Sequence, residues 1–299
     1  MQQAERRKAE SVPWIPAAVV VFILIGIGYF LLKKEQQQPL APPAKQSQIV
    51  TEAKPEIPSE LKVPEIKHPV PEAPPETEEP AEGIEESLGQ PVKQETKPLP
   101  QLDESDPSFI DALKHQFDPK QLDELFLLRS IIRHFVVTID NMTGPKLPQK
   151  FSVTRPPAGK FAVNRDASDQ MYIDSKNFDR YSPFIRFLET LDTRRTVSLY
   201  IHYYPLFQQA YREMGYPDRY FNDRLIEVID HLLAAPEVQG PIELVRPKVF
   251  YQFANPDLEA LSAGRKIMLR IGSDNARRVK AKLRELRGAL TTPEIATHN

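Results

Sequence analysis

Residues 14–32 read WIPAAVVVFILIGIGYFLL, a run of nineteen without a charge or a strongly polar side chain. At about 1.5 Å rise per residue a helix of that length spans about 28 Å, close to the hydrocarbon thickness of a bilayer. Arg6, Arg7 and Lys8 precede it, and Lys33 and Lys34 follow. The run is longer than the apolar core of a signal peptide, and no small-x-small cleavage site follows it directly. The seventy residues after it offer no apolar face for a core helix to pack on. The expectation is therefore an uncleaved transmembrane anchor, with the lipid bilayer as its partner. Pro13 and Pro16 fall in the first turn, where a missing N–H costs little, and Trp14 and Tyr29 fall near the two membrane interfaces. A short basic tail, 1–13, ahead of the anchor and an acidic segment behind it place the N-terminus in the cytoplasm and the rest on the far side.

Composition changes abruptly after Lys34. Residues 35–105 hold 14 of the 30 prolines, no aromatic residue and a net charge of −9, with no apolar periodicity. A segment of this kind buries too little surface to offset its ordering entropy and reads as a disordered acidic Pro-rich spacer. Its reach lies between about 50 Å as a coil and about 220 Å fully extended.

Residues 106–292 carry the remaining 13 of 15 phenylalanines and nine of ten tyrosines. They read as one mainly α domain, followed by a short disordered tail, 293–299. Asp106-Pro107 and Asp118-Pro119 each read as an N-cap followed by a first-turn proline. From the second start, one long helix carries Leu122, Leu125, Phe126, Ile132, Phe135, Val136 and Ile139 on a single face. Residues 161–163 and 171–173 read as a small β-hairpin. Helices are expected over 183–191, 193–214, 220–234, 256–271 and 273–290, with Pro205 kinking the second or splitting it after Tyr204. Gly215 reads as its closing C′ residue. Residues 241–253 stay ambiguous between strand and loop, since Pro247 restricts any strand to an edge.

Several strings in this region occur together in one family. They are Phe135-Val136-Val137-Thr138-Ile139-Asp140-Asn141, then Tyr204-Pro205-Leu206-Phe207 with Gly215-Tyr216-Pro217, Tyr220-Phe221-Asn222-Asp223-Arg224, Val245-Arg246-Pro247-Lys248 and Leu258-Glu259-Ala260-Leu261-Ser262-Ala263-Gly264. In order and spacing the chain resembles the proteobacterial domain-of-unknown-function 3014 family of membrane-anchored proteins, over roughly residues 102–290. The resemblance implies a Gram-negative inner membrane, a single span and a periplasmic domain. It implies no activity and no site residues.

Chemistry is sparsely marked. There is no cysteine, which excludes a thiolate metal site, a disulfide scaffold and a cysteine nucleophile. None of the six histidines has metal-ligand spacing, and no Gly-rich phosphate loop or G-x-S-x-G elbow occurs, so no metal, no cofactor and no enzyme is expected. Ser262-Ala263-Gly264-Arg265-Lys266 imitates an anion loop but lies within a helical period. Two binding faces stand out. Tyr211, Tyr216, Tyr220, Asn222 and Arg224 gather rings and hydrogen-bonding tips at a helix corner, a pattern suited to a peptide or sugar groove; an interhelical corner with Asp223 and Arg224 engaged in caps is the competing reading. Arg277, Arg278, Lys280, Lys282, Arg284 and Arg287 flank the apolar stripe Ala276, Val279, Leu283, Leu286 and Leu290, a pattern suited to an anionic partner or to simple solvation. The resulting expectation is a membrane-tethered envelope interaction or scaffold module that binds an envelope protein or anionic component. The alternatives are an envelope or cell-wall hydrolase, or a nucleic-acid binder if the topology is inverted.

Overall fold

The computed structural model describes residues 65–71 and 98–292. The expected tail 1–13, the membrane anchor, the spacer outside 65–71 and 98–105, and the tail 293–299 lie outside the described residues. Among the described residues no helix is long and apolar enough to cross a membrane.

The domain is mainly helical with a small antiparallel sheet. After a 3-10 turn at Leu102–Glu104 come helices α1 Asp106–Lys114, α2 Pro119–Leu125 and α3 Ile131–Asn141. Packing begins before the expected start at Asp106, because Leu102 is buried and Leu99 rests on the core. Asp118 caps α2 as its sequence position demands, accepting the Lys120 N–H at 2.7 Å and the Gln121 N–H at 3.4 Å.

The single long helix expected from Asp118 onward is two helices. Phe126 leaves α2 extended and bridges to Thr154, while the Leu127 N–H donates to Val153 O and the Arg155 N–H to Leu125 O, both at 2.8 Å. Those backbone groups find partners across the chain instead of along it. Ser130 then turns with φ 44°, and α3 opens with its first N–H groups aimed outward. Asp106 supplies the cap from α1: its carboxylate accepts the N–H of Ser130 and, at 2.9 Å, that of Ile131. The aspartate expected to cap its own helix caps another one.

Helices α4 Lys176–Glu189, α5 Thr193–Glu213 and α6 Phe221–Leu233 follow. Pro183 lies inside α4, which starts earlier than expected, and Pro205 lies inside α5 without splitting it. Loss of one helical N–H is outweighed at Pro205 because Tyr200, Tyr203, Leu206 and Phe207 are all buried around it. The Phe207 ring is the hub of the core. It stacks on Phe221 of α6 at 5.9 Å and meets Phe135 of α3 and Phe109 of α1 edge-on at 5.3 and 6.0 Å.

The sheet runs β1 Val163–Arg165, β2 Met171–Ile173, β3 Glu243–Val245 and β4 Gln252–Phe253 in sequential antiparallel order. The expected hairpin is thus half of a four-stranded sheet. Register places Ile173, Leu244 and Phe253 in a second small core with Leu269. Pro247 falls in the β3–β4 loop, where its missing N–H breaks no ladder bond.

The expected helix over 256–271 is also two: α7 Pro256–Glu259 and α8 Ala263–Arg270. Ser262 is therefore a cap rather than a mid-helix residue; its hydroxyl oxygen accepts the Arg265 N–H at 3.2 Å. Gly264 lets α8 press against its neighbours, since a Cβ there would lie 2.7 Å from Leu232 Cδ2 and 2.9 Å from the Met142 carbonyl. The last helix, α9 Ser273–Thr291, buries Val279, Leu283, Leu286 and Leu290 against α4, α5 and α6. Leu283→Ala should destabilise the domain by about 2–5 kcal/mol and Gly264→Ala by about 1–3 kcal/mol, read from urea unfolding midpoints. Wild-type midpoints would contradict this packing.

Candidate functional site

The corner between α5 and α6 carries a groove of about 610 Å³. Gly215 makes the turn out of α5 with φ 113°, a conformation open to glycine. The chain then folds Tyr216 back so that its ring stacks on Tyr211 at 4.7 Å. Gln208 holds the far side of the turn, donating to Arg219 O at 2.7 Å and accepting the Phe221 N–H at 2.8 Å. Phe221, the first residue of α6, is locked by its stack on Phe207, and this fixes where Asn222 and Asp223 point.

The five residues expected at this corner come together in space but divide by task. Arg224 borders the groove, but its guanidinium is engaged by the domain itself. Its guanidinium donates to Asp140 Oδ1 at 2.8 Å, to the Asp140 carbonyl at 2.5 Å and to Thr143 Oγ1 at 2.7 Å, and pairs with Glu227 at 2.9 Å. Burial pulls its pKa down, but Glu227 and Asp140 outweigh that and leave it raised. Tyr216 joins the same clamp, donating to Asp140 Oδ2 at 3.2 Å. Arg224 and Tyr216 thus tie α6 to the end of α3, and the interhelical reading applies to them. Tyr211 and Tyr220 line the groove. Burial pushes the Tyr211 phenol up to about 12, so it stays neutral.

Asn222 is fully buried. The Tyr200 hydroxyl donates to its Oδ1 at 3.1 Å, and burial holds that phenol well above its ordinary pKa. With Oδ1 engaged inward, the amide nitrogen faces the groove. There it donates to the carbonyl of His68 at 2.9 Å. Next to it, Asp223 accepts two successive backbone N–H groups, from Lys67 at 3.2 Å and His68 at 2.6 Å. Residues 65–71 of the expected spacer therefore pack on this corner and form one wall of the groove, bent at Lys67 and His68, with His68, Val70 and Pro71 half-buried. The sequence pattern placed Asn222 at this corner, gave Asp223 a capping role only in the competing reading, did not point to Tyr200, and gave the spacer no contact with the domain. The run Ile66-Lys67-His68-Pro69-Val70, with the spacer's only histidine and two β-branched residues, was the available signal.

The basic face of α9 is mostly neutralised. Arg278 pairs with Glu189 and Arg287 with Asp230, both on neighbouring helices. Arg277 pairs with Asp274 within the helix. Lys280, expected on an outward face, is 5% exposed, because its ammonium reaches inward to the Ala235 carbonyl at 2.8 Å and to Glu237 at 2.9 Å. Lys282 likewise caps Leu191 O at 3.1 Å and pairs with Glu285 at 2.6 Å. Arg284 is the exposed cation of the expected set that carries none of these pairs.

Among the described residues no group of three or more His, Asp or Glu side chains could hold a metal ion. The His231 ring meets Ser262 Oγ at 2.6 Å, where either group can be the donor, and the same oxygen accepts the Arg265 N–H, so the contact belongs to a helix-capping arrangement.

A family model described as "Protein of unknown function (DUF3014)" matches residues 131–287. The chain belongs to this family. No curated protein and no solved structure matches it. The DUF3014 match is shorter than the stretch over which the sequence strings suggested the resemblance. It opens at the first residue of α3 and runs into α9, so it contains Asn222, Asp223 and the Arg224–Asp140 clamp and leaves α1, α2 and residues 65–71 outside.

Removing the clamp by Arg224→Ala leaves Asp140 half-buried and unpaired and should cost about 2–3 kcal/mol in urea unfolding. His134, His202 and His231 all have pKa values lowered, in each case first by burial. A lowered value means that the unfolded chain binds more protons, so stability is complete above the ordinary histidine range and falls as pH drops through it. The melting temperature should therefore decline from pH 7 to pH 5, and a rise over that interval would contradict the burial of these rings.

Proposed function

We propose that this chain is a membrane-tethered interaction module of the bacterial envelope that acts by binding and not by catalysis. Its anchor at 14–32 spans the inner membrane once, and its domain works in the periplasm. What supports binding over reaction is the grip of Asn222 and Asp223 on a peptide backbone. An amide and a carboxylate that pair with main-chain groups recognise a chain without activating any bond in it. The partner this favours is an envelope protein. An anionic surface is less favoured, because the cations of α9 are held by Glu189, Asp230, Asp274, Glu237 and Glu285.

Location is tested by reporter fusions placed after Lys34 and after Leu290. A reporter active only after export should be active at both positions; activity of a cytoplasmic reporter there would instead reverse the topology. Partner class is tested by in-cell crosslinking of the full chain and identification of captured species. Recovery of one or a few envelope proteins is the expected result, and recovery of nucleic acid or of lipid alone would overturn the assignment.

A further inference from the structure

We infer that the α5–α6 groove is a site for a short bent peptide, and that residues 65–71 of the same chain are its resident ligand. The inference rests on the binding reading above and adds to it the ligand class and the occupant.

The site is held by contacts within the domain. Asn222 is buried, its orientation is set by Tyr200, and its backbone is set by the Phe221–Phe207 stack, so its amide N–H reaches the groove at a fixed position. Asp223 follows on the same turn. Its two oxygens take two consecutive N–H groups, which is possible only where the ligand bends so that both donors converge; the bend at Lys67 and His68 does this. The next residue, Pro69, has no N–H, so the peptide leaves the clamp with no further donor to satisfy. Beyond the bend, Val70 and Pro71 are half-buried and supply apolar area. The recognised pattern is two successive residues with free N–H groups, then Pro, then an apolar residue.

Residues 72–97 connect this ligand to the domain. A covalent connection of 26 residues gives an effective concentration on the order of 1 mM. The segment therefore occupies Asn222 and Asp223 in cis and competes with any external peptide of the same pattern.

Two measurements on the full chain in detergent test this. Hydrogen exchange should be slowed at the Lys67 and His68 amides, and Asp223→Ala should abolish that slowing while Val279 and Leu283 in α9 stay protected. In a second variant, residues 66–70 are replaced by Gly and Ser at constant length, which leaves the domain untouched. A fluorescent synthetic peptide of residues 63–73 should bind this opened variant, and bind wild type at least about tenfold more weakly because of the cis occupant. Exchange at Lys67 and His68 as fast as in the free peptide overturns the inference, as does equal peptide affinity for the two proteins. Failure of the peptide to bind an opened variant with protected α9 amides overturns it too. If that same variant still captures the wild-type crosslinking partners, the broader binding reading stands while this one falls.

Discussion

The Phe207 ring holds the structure in register. It is the point at which α1, α3 and α6 meet α5, through Phe109, Phe135 and Phe221, and each contact is a ring on a ring. Aromatic pairs have preferred geometries, unlike aliphatic contacts that slide, so this cluster sets helix rotation as well as helix distance. It also explains why α5 runs unbroken through Pro205: the residues on either side of the proline are those the cluster buries.

Polar chemistry gathers at the rim of that cluster. Tyr200, Tyr204, Gln208 and Asn222 form a chain of hydroxyl and amide groups in which Tyr204 donates to Gln208 at 2.9 Å and Tyr200 to Asn222. Such groups are costly to bury unless each finds a partner, and here each does. The groove lies beside the place where this network ends and the Asn222 amide donates to the His68 carbonyl. A rigid apolar centre with a directed polar edge suits recognition, because the edge cannot adapt to a badly shaped ligand.

Much of this was legible in the sequence where structure is local. Asp118 caps α2, Gly215 closes α5, a hairpin forms beside the expected one with its first strand at Val163–Arg165 instead of 161–163, and the stripe Val279–Leu283–Leu286–Leu290 is core. What the sequence hid was non-local. The break between α2 and α3 comes from backbone pairing with 153–155, and nothing at Phe126–Ser130 announces it. Lys280 looked solvated because its neighbours are charged, whereas the Ala235 carbonyl that draws it inward is 45 residues away. Residues 65–71 looked like the rest of an acidic Pro-rich run, since a ligand needs only a few contacts and those lie on α6. The expected anchor at 14–32 lies outside the described residues.

The link from Asp106 to Ser130 and Ile131 bears on how the domain can assemble. A helix start that is closed by its own preceding residue can form early and alone. The start of α3 is closed by a carboxylate 24 and 25 residues upstream, on a different helix. Helix α3 therefore gains its first turn only when α1 has docked, and the two are expected to appear together in folding, with the loop between them closed at the same step. The family match begins at Ile131, just inside this junction. A fragment cut at that boundary would keep the whole matched stretch and still lose the group that starts its first helix.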